Sequence, residues 1–557
     1  MFMRNWLKQY LVAGAALAMV GFLAQTPGAE ASERSDNAIV SAPVGEIEGV
    51  TKDGVLVFKG IPYAAAPTGA KRWQPPVPFP DWDGGRKADK FGPACIQPKS
   101  RSGSIYAEDH AAMSEDCLSL NVWMKQGSGK APVLVWIHGG SLMTGAGSTP
   151  MYDGARMARK GVVVVTINYR LGILGYFAHP ELSAESKLGI SGNYGLQDQI
   201  AALRWVKRNI AAFGGDRDNV TIAGESAGAL GVMYLMASPP AYGLFNKAIA
   251  QSSYMISTPS LKQEQFGHPA SEAVGQSVQE KLGAANIAEM RGIDPFDLTA
   301  RAPKTGFAPF GVVDGHFLPR QIAATFDRGE QAKVPVLAGF NEGEIRSLRF
   351  LLPPKPSSAE EYEAKIRSGY GELSDLYLRL YPGDNLDESM LAATRDAMYG
   401  WTAERLVARQ VAQGLTSYLY MFDHGYPAAD GWGLHAFHAA EIPYVFGNIR
   451  DTSKLWPKIP RTVRERALSD NMMDYWIGFA RSGTPVATGA PAWPAYDGDK
   501  SAIVFADKPK AIKGLSGKRY VLHEEVVCRR MAAGDMQWNW NVGIISPPLP
   551  PATKECR

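Results

Sequence analysis

The chain has 557 residues, 45% hydrophobic and 20% charged, with a formal net charge of +3. That balance supplies a large buried core and excludes a disordered polymer. No basic run or basic-aromatic interleaving points to a nucleic-acid partner, and so weak a charge offers little steering of a charged ligand.

The first 31 residues stand apart. Arg4 and Lys8 precede the apolar run YLVAGAALAMVGFLA, and Ala29 to Ala31 place small residues around a cut before Ser32. This is the three-part pattern of a secretory signal peptide. The run is shorter than the roughly 20 residues of a membrane span, and no later segment is long and apolar enough to cross a bilayer. The expectation is a protein exported to the periplasm or medium, without a membrane anchor, whose residues 32–557 form one domain. Four cysteines fit an oxidising compartment. Of three connectivities, the pairs Cys95–Cys117 and Cys528–Cys556 close the two shortest loops. None has the close spacing of a zinc site, so no metal is expected.

Buried strands are predicted at PVLVWIH from Pro132, GVVVVTINY from Gly161, NVTIAG from Asn219 and VPVLAGF from Val334. SYLYMFDH from Ser417 and AIVFAD from Ala502 add two more. Runs of Val and Ile without polar alternation suit strands covered on both faces. Between the second and third, Leu196, Ile200, Leu203, Val206 and Ile210 recur at helical spacing, and Gly214–Gly215 ends the helix. Strand, helix, strand is the unit of a mostly parallel α/β sheet. Segments near 259–330 and 350–415 are mixed, helical and proline-punctuated; they read as insertions over the strand ends, where an open sheet carries its substrate pocket. The C-terminal SPPLPPATKECR reads as an irregular tail held by a disulfide.

The stretch VTIAGESAGALG from Val220 places Ser226 between two glycines, where a β-branched strand turns into a helix. That context gives G-x-S-x-G its meaning: a strained turn lifts the hydroxyl above the sheet edge, and small neighbours prevent collision. The helix N-terminus adds partial positive charge where an oxyanion would form. Donors are at hand in WIHGGS from Trp136, where the backbone N–H groups of Gly140 and Ser141, with that of Ala227 after the serine, can converge on one oxygen. Alone, that segment would read as an ordinary glycine turn. With the chain order serine, acid, histidine, the base is one of His435, His438 and His523, and the acid is Glu342 or Glu344 in GFNEGEIRS.

Motifs along nearly all the mature sequence carry a resemblance: FKGIPYAAAP, SEDCLSLNVW, WIHGGS, NYRLGILGYF, the long segment from Gly192 through Gly228, VVDGHFLP, GFNEGE and FHAAEIPYVFG. The chain resembles the type-B carboxylesterases, the α/β-hydrolases that include the cholinesterases. The resemblance implies an α/β-hydrolase fold, with Ser226 as nucleophile, His438 as base and Glu344, three positions after Asn341, as acid. It implies Gly140, Ser141 and Ala227 as oxyanion donors and a Cys95–Cys117 bridge. Two departures stand out. The family commonly has a third glycine and an aromatic residue at Ser141 and Leu142, and the acid motif reads Asn-Glu-Gly-Glu where Asn-x-Asp-Glu-Gly is usual. Serine has less backbone freedom than glycine, which bears on how the loop is set.

Glu225 and Glu441 read as buried members of a supporting hydrogen-bond network, and Arg170 and Asp198 as scaffold. Asn219 opens a formal glycosylation acceptor, but it enters the elbow strand. The expected activity is hydrolysis of a small-molecule carboxylic ester through an acyl-serine, with no cofactor or metal, falling off below about pH 6.5 as the histidine protonates. A lipase, or an esterase specialised for a xenobiotic, polyester or toxin, is the alternative within enzymes. A non-enzymatic binding relative would typically lack a triad member, and here all three are present.

Overall fold

The computed structural model describes residues 37–556 apart from 101, 102 and 539–541. Residues 1–31, expected to form a signal peptide, lie outside the described residues. Residues Asn37–Arg557 form one compact unit. Its centre is a 13-stranded sheet. In chain order the strands are β1 (Asn37–Ala42), β2 (Gly45–Lys52), β3 (Val55–Pro62), β4 (Gly85–Lys87), β5 (Ser119–Lys125) and β6 (Ala131–Ile137). There follow β7 (Val163–Ile167), β8 (Gly215–Glu225), β9 (Lys247–Gln251) and β10 (Val336–Asn341). The last are β11 (Tyr418–Phe422), β12 (Ala502–Phe505) and β13 (Pro509–Ile512).

Across the sheet they lie β1-β2-β3-β5-β7-β6-β8-β9-β10-β11-β12-β13, with β4 on β2. From β7 to β12 every neighbour is parallel, and antiparallel strands close both ends. All six strands predicted from Val/Ile runs are present. β1, β2, β3, β4, β5, β9 and β13 were not anticipated: β2 is only half buried and β9 is the alanine-containing Lys-Ala-Ile-Ala-Gln.

The two-residue period of a strand divides its side chains between faces. Along β6, Val133, Val135 and Ile137 enter one apolar cluster, while Leu134 and Trp136 enter another. The first face is covered by α1 (Tyr194–Asn209) through Leu196, Ile200, Leu203 and Val206, and by α2 (Ala227–Ala237). After α1 a 3₁₀ turn runs to Phe213, and Gly214 ends it in the left-handed region at φ 70°.

Residues 259–330 contain α3 (Ser271–Leu282) and shorter helices, and 350–415 contain α4 (Ala359–Tyr370) and α5 (Trp401–Val411). α5 is more than an insertion, because Trp401, Leu406 and Val407 join the first-face core. The second face packs on α6 (Val463–Ser482) through Leu468, Met472 and Trp476. Cys95–Cys117 is bridged, and Cys528 on α7 (Gly517–Ala533) is bridged to Cys556. No helix among the described residues is long and apolar enough to span a membrane.

Candidate active site

β8 ends at Glu225 and α2 begins at Ala227, so Ser226 alone makes the turn, at φ 55° and ψ −123°. A non-glycine residue there stores about 1–3 kcal/mol, which the surroundings must hold in place. They do so through Ser226 N–H to Gln251 O at 2.9 Å and Leu230 N–H to Ser226 O at 2.9 Å. The flanking glycines are sterically required. A Cβ on Gly228 would lie 2.0 Å from Ile137 O, and one on Gly224 would lie 2.5 Å from the Gly228 carbonyl carbon.

Beside the elbow runs the loop after β6. A Cβ on Gly139 would approach Ser226 Cβ to 3.2 Å. Gly140, Ser141 and Leu142 follow with φ of 107°, 56° and 58°. The departure noted at Ser141 and Leu142 therefore leaves a glycine-like backbone, carried by residues that pay steric strain for it. Leu142 is anchored by burial and by Gly172 N–H donating to its carbonyl at 2.7 Å. Gly140 O accepts from Met143 N and Thr144 N, both at 2.9 Å. The N–H groups of Gly140 and Ser141 have no acceptor among the described residues. Ala227, as the first residue of α2, has no intrahelical acceptor either.

A second tether comes from the Cys95–Cys117 loop. Gln97 Oε1 accepts from Gly145 N at 2.8 Å, and Gln97 Nε2 donates to Gly145 O and Cys95 O, both at 3.0 Å. Tyr169 OH donates to His138 O at 2.7 Å. Sequence reasoning missed both residues; only the closeness of Gln97 to a bridged cysteine hinted at its place.

On the far side, β10 delivers Glu344 at the start of a 3₁₀ turn, fully buried. Its Oε1 accepts from Asn341 N at 2.8 Å, and its Oε2 lies 2.5 Å from Nδ1 of His438. Asn341 Nδ2 donates to Phe437 O at 2.8 Å and to Glu441 Oε2 at 2.6 Å, fixing the acid turn to the histidine loop. Tyr106 adds a further clasp, its OH 2.7 Å from Ser347 Oγ and 2.9 Å from His438 O. Glu342 points elsewhere: it pairs with Arg395 at 2.9 Å and is only half buried. His435 is held by Asp430 and Asp423 at 2.9 and 3.1 Å, and His523 is buried against Tyr381. Of the candidates, only Glu344 and His438 are brought into contact.

The other ring nitrogen of His438 lies 3.1 Å from Glu225 Oε1, without the alignment of a hydrogen bond. Ser226 Oγ makes no hydrogen bond among the described residues. Glu441 completes a buried group, its Oε1 accepting from Gln251 Nε2 at 2.9 Å and Gln251 Oε1 accepting from Trp476 Nε1 at 2.9 Å. Burial works against a charge on His438, but Glu225, Glu344 and Glu441 outweigh it and raise its pKa to about 9. Burial pushes Glu225 up to about 8; His438 pulls against it, and Glu441 and Glu344 add to the rise. Burial likewise raises Glu441.

A raised imidazole pKa keeps the ring cationic to higher pH, so a neutral base appears only well above the pH 6.5 anticipated from the unperturbed group. The acid limb of kcat/KM is expected above pH 6.5. Glu225→Gln removes the leading carboxylate influence on the ring and is expected to move that limb to lower pH. An unmoved limb in the variant would show that Glu225 does not set the ionisation.

Arg170 and Asp198 form a buried two-bond ion pair, with both bonds at 2.8 Å, as scaffold should. Asn219 is occupied within the fold, donating to Arg481 O at 3.1 Å and accepting from Lys247 Nζ.

The model of the carboxylesterase family matches residues 36–521. The chain belongs to the carboxylesterase family. This carboxylesterase is 36% identical over 532 residues to a fumonisin B1 esterase of Sphingopyxis macrogoltabida, covering 92% of this chain and 95% of that protein. It is 34% identical over 487 residues to the para-nitrobenzyl esterase of Bacillus subtilis (strain 168), covering 85% of this chain and 96% of the relative. A solved para-nitrobenzyl esterase structure superposes with a TM-score of 0.74 at 32% identity, over 87% of this chain and 99% of that one. The α/β-hydrolase fold and the ester-hydrolase class expected from the motifs are thereby borne out.

Proposed function

We propose that this carboxylic ester hydrolase acts through an acyl-enzyme on Ser226, with His438 as general base and Glu344 as its orienting acid. The observation that carries the reading is the 2.5 Å contact of Glu344 with His438 Nδ1. It leaves the other ring nitrogen on the side of Glu225, the residue next to the elbow serine. Hydrogen bonds of a resting site are often unaligned and tighten only around substrate, which here asks for rotation of the Ser226 hydroxyl toward the ring.

His438 takes the hydroxyl proton as Oγ attacks the ester carbonyl, and Glu344 stabilises the resulting imidazolium. The N–H groups of Gly140, Ser141 and Ala227 receive the tetrahedral oxyanion. The proton then passes to the departing alcohol. Water, activated by the same histidine, releases the acid.

The substrate reading is a soluble xenobiotic or toxin ester rather than a long-chain lipid, supported by relatives named for fumonisin B1 and for a para-nitrobenzyl ester. Turnover of p-nitrophenyl acetate, butyrate and palmitate and of fumonisin B1 tests it. Short acyl esters or the toxin should be cleaved faster than palmitate; preference for palmitate would establish the lipase reading instead. Export is proposed on the segment before Ser32 and is supported by the two disulfides, which form in oxidising compartments. N-terminal sequencing of the mature protein should begin at Ser32, and retention of Met1 would refute cleavage.

A further inference from the structure

A cleft of about 410 Å³ opens between the β2–β3 hairpin, the segment Gly147–Asp153 and the helical turn Ala155–Arg159. None of its lining residues is Ser226, Glu344, His438 or a candidate oxyanion donor. Its volume falls in the range of small-molecule sites, of about 300–1,000 Å³.

Four cations line it: Lys52, Lys59, Arg156 and Arg159. None of them forms an ion pair or a side-chain hydrogen bond among the described residues. Lys59 Nζ sits over the Phe91 ring at 4.4 Å and keeps its donors free. Three carboxylates share the lining, Asp53, Asp153 and Asp451, and Asp153 is already engaged by Ala155 N–H at 2.9 Å. Positive charge is in excess, and the free cations leave the available acids unpaired.

The apolar part of the lining is Val57, Phe91 and Trp123. Unpaired cations and an apolar wall together describe an amphipathic anion.

We infer that this cleft is a second binding site, for a small organic carboxylate whose acid group meets the cations and whose apolar body lies against Val57, Phe91 and Trp123. Carboxylates are the product class of ester hydrolysis, so in substance the inference extends the proposed reaction, although the binding itself does not depend on it. Thr149, in the wall, donates to Glu108 of the disulfide loop at 2.6 Å, and Gly147 N–H donates to Asn168 Oδ1 at 2.8 Å.

The test is calorimetric titration of benzoate into the full chain after treatment with phenylmethylsulfonyl fluoride. Mass spectrometry of Ser226 reports separately on the nucleophile. Benzoate is expected to bind the treated protein, at least tenfold more weakly after Arg156→Ala with Arg159→Ala, and benzamide at least tenfold more weakly than benzoate. Both arginines are exposed, so the fold should survive their loss, and Lys59→Met provides a second variant that should also weaken binding. No heat with benzoate, equal affinity in the arginine double variant, or equal binding of benzamide would each overturn the site. Acetate binding as tightly as benzoate would remove the apolar wall from it. The dependence on Arg156 and Arg159 reads the cleft whether or not the serine is labelled.

Discussion

Ser226→Ala is expected to lower kcat by about 10⁴- to 10⁶-fold while leaving the folded protein unchanged. The fold should survive because the two bonds that hold the elbow, to Gln251 O and from Leu230 N–H, are made by backbone atoms. Alanine keeps the Cβ and therefore the strain at φ 55°. Ser226→Gly is a useful companion. It releases that strain, of about 1–3 kcal/mol, so it should be no less stable than the alanine variant and equally inactive. Ester turnover on purified variants, with circular dichroism and thermal melting alongside, separates the readings. A folded alanine variant with undiminished turnover would remove Ser226 from the reaction.

The elbow was legible because two periodicities meet there. Val220 and Ile222 belong to a buried strand, the residues after Ser226 belong to a buried helix, and the glycines stand where backbones nearly touch. The central strands were legible because coverage on both faces demands unbroken apolar runs, as in Val163–Ile167. The same logic explains the strands that were missed. β9 is built on alanine between Lys and Gln, so nothing in its composition distinguishes it from helix. β2 and β3 are partly solvated and glycine-interrupted, and β5 alternates polar Ser119 and Asn121 with apolar residues although it is buried, so long-range pairing decides them.

Site residues follow a similar division. A nucleophile with a local backbone requirement writes a local pattern. The polar tethers do not, because each reaches across the chain: Gln97 to Gly145, Tyr106 to His438, Asn341 to Phe437 and Glu441. Nor does the loop conformation. Ser141 and Leu142 occupy left-handed backbone without the glycine that usually announces it, held by burial of Leu142 and a bond from Gly172. The pH behaviour was the least legible of all. A histidine titrates normally in isolation, and only assembly around it of three carboxylates, from the elbow, the acid turn and its own loop, moves its proton upward.

The choice between Glu342 and Glu344 gives the sharpest remaining test, because two chemically identical side chains stand two residues apart. Glu344→Gln preserves volume and can still accept from Asn341 N–H through its carbonyl oxygen. Its amide then faces His438 Nδ1 with an N–H, which favours the ring tautomer whose proton sits on the nitrogen that must act as base. It also removes the charge that stabilises the imidazolium. A wrong tautomer with the geometry intact costs about 10⁴-fold in kcat in a serine hydrolase triad. Glu342→Gln disturbs only half-buried pairing with Arg395 and Arg346, and Arg395 keeps its bond to Asp396 at 2.8 Å. Its kcat should therefore stay within a few-fold of the parent. Because the loss in Glu344→Gln arises in the chemical step, substrate affinity should change little, and the defect should appear in kcat rather than KM. The opposite ranking of the two variants would transfer the acid to Glu342 and require the loop carrying His438 to reorganise before reaction.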